Sequence, residues 1–152
     1  MTLRELRDSD SSSINSWRNS LFNRIITLGY RGPVTFEIDS RWLKQILSEK
    51  GGKDIYFGIE NNSDKKLIGI IQLNSIDHIS GVASCGILIG EMNERGRGMG
   101  VDAVRAILYF AFNILNLRKI ITLIASFNEQ AFRVQEKVGK VHSEGCLKAQ
   151  YY

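Results

Sequence analysis

The chain has 152 residues, of which 43% are hydrophobic and 24% charged, and it carries a net charge of +4. That size and balance describe one soluble globular domain with a core of its own. The mild positive charge fits an anionic ligand or nucleic acid without deciding between them, but no run of about five basic residues and no basic–aromatic interleaving occurs, so nucleic acid is not expected. Cys85 and Cys146 are the only cysteines. They lack metal-ligand spacing, so no metal site is expected and both read as buried free thiols of a reducing, cytoplasmic setting. Met1 to Leu6 has no signal-peptide core, and the most apolar stretch, Ile107 to Leu115, is too short to cross a bilayer. No membrane association is expected.

In chain order, Thr2 to Leu6 alternates and predicts a first strand. Asp8, Ser9 and Asp10 offer N-caps to a helix over Ser11 to Asn19, which ends in Trp17-Arg18-Asn19. Trp17 is read as core. Leu21 to Val34 has poor periodicity and contains Gly29, Gly32 and Pro33, so an exposed loop is expected, and loops of this kind often carry recognition. It is the candidate acceptor site. A second helix follows from about Asp39 to Ser48. Ile55 to Glu60, Lys66 to Leu73 and Gly81 to Ile89 predict three strands joined by short turns, an antiparallel meander. Val101 to Leu115 has helical spacing, Lys119 to Ser126 is rich in β-branched residues, and Asn128 to Val138 reads as a helix ended by Gly139. His142 to Tyr152 is expected as a last strand. The order predicts one mixed α/β domain spanning residues 1–152.

The stretch with most chemical content is Arg95-Gly96-Arg97-Gly98-Met99-Gly100, between a buried strand and a helix. Such a turn leaves backbone N–H groups unpaired at a helix N-terminus, where the dipole adds positive character, and so suits a phosphate. Glycine permits the backbone angles of the nest and the approach of a ligand, while Arg95 and Arg97 would add forked donors. The spacing fails the dinucleotide fingerprint G-x-G-x-x-G/A at Val101, and no Gly-Lys-Ser/Thr is present for a P-loop. What remains is R-x-x-G-x-G over Arg95, Gly98 and Gly100.

This motif resembles the acetyl-CoA pyrophosphate loop of the GNAT superfamily of N-acetyltransferases. A second motif agrees: Asn128-Glu129-Gln130-Ala131, then Arg133, then Glu136-Lys137-Val138-Gly139, resembles the N-x-x-A…Y-E-K-x-G-F helix of that family. Glu144-Gly145-Cys146-Leu147 is similar to its E-G-x-L strand entry. Trp17-Arg18-Asn19 is similar to a motif of the branch with ribosomal-protein N-terminal, polyamine and amino-sugar acetyltransferases. The resemblance implies an antiparallel meander followed by a splayed parallel strand pair with flanking helices. It also implies a chain that stops before the last family strand. Acetyl-CoA would lie between the strand ending at Ile89 and the strand from Lys119 to Ser126. Its pyrophosphate would rest on Arg95, Gly96, Arg97, Gly98, Met99 and Gly100, its pantetheine arm along Ile87, Leu88 and Ile89, with a hydrogen bond from Asn128. Gln135 would face the sulfur.

The implied reaction is attack of a neutral primary amine on the thioester carbonyl, with a backbone N–H of Leu88 or Ile89 stabilising the oxyanion. The sequence departs from the family pattern at Gln135 (usually a tyrosine that protonates sulfur), at Ser84 (usually an acid) and at Lys140 (usually phenylalanine). No catalytic acid is therefore assigned; water, Ser126 or a tail tyrosine would serve. Base candidates are Glu37, Asp39, Asp77, His78 and His142. Acceptors are expected in the order amino-sugar nucleotide, protein N-terminus, polyamine, the last because no acidic cluster is visible. The alternative is an acyl-CoA-binding module with impaired catalysis. An unpaired edge at His142 to Tyr152 would be covered by a homodimer.

Overall fold

The computed structural model describes residues 1–27, 32–48 and 52–139. The expected strand at His142 to Tyr152, with Cys146, His142 and the edge that motivated a homodimer, lies outside the described residues, as does the centre of the loop after Ile26. The strands are β1 (Thr2–Arg4), β2 (Ile55–Glu60), β3 (Leu67–Asp77), β4 (Val82–Ile89) and β5 (Lys119–Ile121). The helices are α1 (Ser11–Asn19), α2 (Leu21–Ile26), α3 (Phe36–Ser48), α4 (Met99–Tyr109) and α5 (Glu129–Val138). The sheet runs in the order β1-β2-β3-β4-β5, antiparallel except for the parallel β4–β5 pair. This is the mixed α/β fold with a meander and a parallel pair that the sequence predicts.

Period-2 side chains divide the sheet between two layers of helices. On one face Ile59, Ile71, Leu73, Ala83 and Cys85 pack with Ala103, Val104, Ile107 and Ala111 of the α4 region. On the other face Tyr56, Ile70 and Leu88 pack with Ile14, Trp17 and Leu43 of α1 and α3. Even and odd residues of β4 thus face different layers: Leu88 looks toward α1 and α3, Ile87 and Ile89 toward α4.

Two polar clusters join the layers. Arg4 donates from both terminal nitrogens to Asp10 at 2.8 and 2.9 Å and from Nε to Glu60 at 2.8 Å, fixing β1 and β2 to the start of α1. Asp39, fully buried in α3, accepts from Arg18 and, at 2.7 Å, from Asn15. Asn19 exchanges hydrogen bonds with the Val34 backbone at 2.8 and 2.9 Å. Trp17-Arg18-Asn19 is therefore a motif of inter-element contacts, and Trp17 is core at 5% exposure.

Three expectations of local structure change. Within the expected loop Leu21 to Val34, residues Leu21–Ile26 form α2, held because Asn23 is buried and donates to the Trp17 carbonyl at 3.0 Å. Six residues make under two turns, too few for a visible periodicity. The helix expected from about Asp39 begins at Phe36, because Thr35 supplies both a hydroxyl and a carbonyl to its first amides. The helix expected through Leu115 is α-helical only to Tyr109 and closes in a wider turn over Phe110–Ile114, where the Leu115 amide reaches back to Phe110.

Candidate active site

The expected strand Lys119 to Ser126 is shortened to Lys119–Ile121, and the reason is the geometry that makes a cleft. β4 and β5 pair only at Val82↔Lys119, Ala83↔Ile120 and Ser84↔Ile121. β4 then continues to Ile89 against β3 alone, so its other edge is open from Cys85 onward. In an antiparallel ladder, residues alternate between bonding the neighbour and facing away from it. The Ile89 carbonyl accepts from Arg95, away from β3. By alternation the main-chain groups of Ile87 and Ile89 face the opening, and those of Leu88 belong to the ladder.

Just past Ile89 the strand is bent. Gly90 and Glu91 both donate to the Ile68 carbonyl, at 2.9 and 3.1 Å, an extra residue in the ladder. Glycine is required at 90 because a Cβ there would stand 2.0 Å from the Trp17 ring. Trp17 Nε1 donates to Glu91 at 3.0 Å, which places a carboxylate beside the end of β4. Neither the bend nor Glu91 stands out in the sequence, since both depend on a contact between residues 17 and 91.

The glycine turn leads from there into α4. Gly96 and Gly98 have φ of 75° and 84°, and Gly98 is the N-cap of α4 without any side-chain cap. The first helical bond runs from the Asp102 amide to the Gly98 carbonyl at 3.1 Å, which leaves the amides of Met99, Gly100 and Val101 without an intrahelical partner. A Cβ at Gly96 or Gly98 would meet nothing within 4 Å, whereas one at Gly100 would touch Ile89 and Val134 at 3.8 Å. The turn is packed on its Gly100 side and open on the other. This is an anion nest at a helix N-terminus.

The sequence-predicted site residues separate in space. Arg97 is exposed and pairs with Glu94 at 3.1 Å. Arg95 turns inward: Nε and Nη2 donate to the Ile89 carbonyl at 2.9 and 2.7 Å, Nη2 also meets Asn23, and the guanidinium lies 4.7 Å from the Phe22 ring centre. Its Nη1 is buried without a hydrogen-bond partner among the described residues, and burial lowers its pKa from the ordinary arginine value. Asn128 caps α5 by accepting from the Ala131 amide at 3.1 Å and donates to the Ile26 carbonyl at 3.1 Å, so its side chain ties α5 to α2. Gln135 is half-buried on α5, one residue after the Val134 that lies against Gly100.

Among the base candidates, Glu37, Asp77 and His78 are exposed, and Asp39 is enclosed by Arg18 and Asn15. Asp77 caps the β3–β4 turn, and hydrogen bonds from the side chain and backbone of Ser80 hold its carboxyl below the usual range. That turn is at the far end of β4, about 25 Å of strand from Ile89. A small cavity of about 80 Å³ opens instead beside Leu88, lined by Trp17, Arg18, Asn23 and Arg24 among others. It is on the α1–α2 side of the strand whose other edge is the open cleft. Among the described residues no group of acidic, histidine and cysteine side chains is arranged to hold a metal, and no helix is long and apolar enough to cross a membrane.

Residues 1–141 match the family model described as the acetyltransferase (GNAT) domain. The chain is 28% identical over 154 residues to the spermidine N(1)-acetyltransferase of Vibrio cholerae serotype O1, covering 100% of this chain and 84% of that protein. It is 26% identical over 148 residues to the SPbeta prophage-derived uncharacterized N-acetyltransferase YokL of Bacillus subtilis, covering 97% of this chain and 79% of that one. A solved structure of the Vibrio cholerae spermidine N-acetyltransferase in complex with CoA and spermine superposes with a TM-score of 0.88 at 26% identity, over 99% of this chain and 86% of that chain. The same enzyme as a dodecamer in an intermediate state matches with a TM-score of 0.79 at 29% identity, over 99% and 84%.

Proposed function

The chain belongs to the GNAT acetyltransferase family, is an acyltransferase and uses acetyl-CoA as its acyl donor, and from that premise we propose that it acetylates a primary amine of a small molecule, with polyamines the leading acceptor class. The observation that carries this reading is the open edge of β4 from Cys85 to Ile89 running into the unfilled nest of Gly96 and Gly98. The pyrophosphate rests on the amides of Arg97 to Val101 at the α4 N-terminus. The pantetheine amides complete the ladder that β5 abandons, on the main-chain groups of Ile87 and Ile89. Gln135 lies along the same side, and Asn128 holds α5 in place for it.

The amine enters from the cavity beside Leu88. Polyamines move from last to first among the acceptors for two reasons. Similar proteins with a stated substrate include spermidine acetyltransferases. The carboxylate of Glu91, which no acidic run announces, accepts from Trp17 of the cavity wall, and of the two arginines in that wall, Arg18 and Arg24, the first is paired with Asp39. Amino-sugar nucleotides and peptide N-termini follow.

An ammonium has no lone pair, so the amine loses its proton before attack, either to water or to Glu91 behind Trp17. The nitrogen then adds to the thioester carbonyl, the Ile89 N–H receives the oxyanion, and the C–S bond breaks to release CoA thiolate, while the surplus proton on nitrogen passes through water to the thiolate, leaving a neutral amide and CoA thiol. A thiolate with a pKa near about 8.5 leaves readily, so the absence of an acid at Gln135 is tolerable. Release of CoA thiol is measured with spermidine, spermine, an amino-sugar nucleotide and a short peptide. Amine-dependent release with one acetylated product per thiol is expected, strongest with the polyamines. CoA binding without release on any amine would replace this reading by an impaired acyl-CoA-binding module, which Gln135 favours.

A further inference from the structure

Arg95 was expected to reach the phosphates, yet its guanidinium points the other way. Three elements converge on it. The Ile89 carbonyl takes two of its N–H bonds, at 2.9 and 2.7 Å. Asn23 of α2 takes another through Oδ1, and Phe22 of α2 lies against its face at 4.7 Å. Asn23 is only 3% exposed, and its own N–H donates to the Trp17 carbonyl at 3.0 Å, so Arg95 ties the α1–α2 corner to the end of β4 beside the Trp17–Glu91 bond. Asn23 and Trp17 both line the cavity beside Leu88. Gly96 follows Arg95 directly and starts the open nest.

Resting on the acetyl-CoA reading above, we propose that Arg95 is a positioning residue that couples helix α2 on the acceptor side to the Ile89 peptide and the glycine turn on the cofactor side. The side chain does not touch CoA. It fixes the Ile89–Gly90 peptide plane, whose Gly90 N–H is held by Ile68, and so limits the turn of Ile89, whose own N–H on the preceding peptide faces the cleft; it also fixes the first residue of the nest, while its own place depends on α2. Ordering of α2 by an acceptor thus favours the nest geometry, and occupation of the nest favours α2, a reciprocal linkage. No carboxylate takes part in the chain Asn23–Arg95–Ile89, so the coupling is carried by directional hydrogen bonds to neutral oxygens, which lose strength steeply with misalignment.

The test is calorimetric titration of CoA into the native protein and four variants, with a thermal melt of each. Asn23→Leu removes the acceptor on α2 and is expected to weaken CoA at least about fivefold, although Asn23 belongs to the other side of Arg95. Asn23→Asp keeps an oxygen toward Arg95 and is expected to stay within about twofold. Phe22→Ala, at a half-exposed position that folding tolerates, is expected to weaken CoA about two- to fivefold. Leu21→Ala, 72% exposed on the same helix, is expected to leave CoA affinity unchanged. Equal CoA affinity in native protein, Phe22→Ala and a folded Asn23→Leu would overturn the coupling and leave the acetyl-CoA reading standing. Native protein that fails to bind CoA would overturn that reading and the coupling with it.

Discussion

Arg4 and Arg95 are both drawn into the body of this protein, and they are held in opposite ways. Arg4 is surrounded by carboxylates: a forked pair with Asp10 and a third bond to Glu60, all at 2.8–2.9 Å, and hydrogen bonding to Asp10 raises its pKa above the ordinary arginine value. Arg95 has neutral oxygens and an aromatic face, and burial lowers its pKa. The Arg4 corner is electrostatically closed. The Arg95 corner, among the described residues, holds a positive charge with no carboxylate on it, one residue from an open anion nest. The difference separates a site that holds the fold from the one proposed to receive a ligand, and it can be broken by substitution at each.

The largest effect on stability is expected at the closed corner. Arg4→Leu leaves Asp10 buried without its counter-charge and Glu60 with only the exposed Lys65 at 3.9 Å, which costs about 3–5 kcal/mol. For a chain of this size that lowers the melting temperature by roughly 10 °C or more. CoA affinity of the molecules still folded stays unchanged, as calorimetry below the melting range would show. A change in affinity would mean that the two corners are not separate.

Gly98→Val comes next and reverses the pattern. Its φ of 84° and the empty space around it mean that a branched side chain is strained and occupies ligand room, while nothing in the protein is displaced. Stability falls by about 1–2 kcal/mol, whereas CoA binding falls by roughly 100-fold or more through loss of the nest. A folded Gly98→Val protein with native affinity would remove the nest from the account. Arg95→Leu is expected to be milder on stability than Arg4→Leu, about 1–2 kcal/mol, because it strands only the Ile89 and Asn23 oxygens and no charge. Its melt, set beside that of Arg4→Leu, tests the comparison directly.

The smallest effect belongs to neither corner. Burial pushes the Cys85 thiol up to about 12 from its ordinary 9.0. The folded protein therefore keeps the proton between those values while the unfolded chain loses it. Stability is full below about pH 9 and declines as pH rises toward 12, by at most ~1.4 kcal/mol per pH unit. Denaturant melts of Cys85→Ala from pH 8 to 10.5 should lack that decline, and CoA binding at pH 7 should match the native protein.

What was legible in the sequence follows the same division. α1, β2 and α5 carry their own signals in spacing and capping residues, and the helix and strand ends agree within a residue. The nest was legible because glycine at 96 and 98 is a backbone statement. The direction of Arg95 was not, because the partner that turns it inward, Asn23, lies 72 positions away in a helix too short to show periodicity. The early end of β5 was equally hidden: the β-branched residues run on past Ile121 through Thr122 and Ile124, while the pairing with β4 stops at Ile121. Asn128 looked like a ligand contact and serves first as a helix cap, a role its residue type also fits.

The central claim is that the open edge of β4 and the turn after it form one binding surface for the phosphates and amides of CoA. An amide-resolved NMR titration of the native protein with CoA tests it most directly. The account predicts the largest shifts at the amides of Arg97 to Val101, with Ile87 and Ile89 next, and none at Leu3 to Arg7 or Glu60 in the Arg4 corner. Shifts centred on the Arg4 corner or the β3–β4 turn, with the amides of Arg97 to Val101 unmoved, would contradict it.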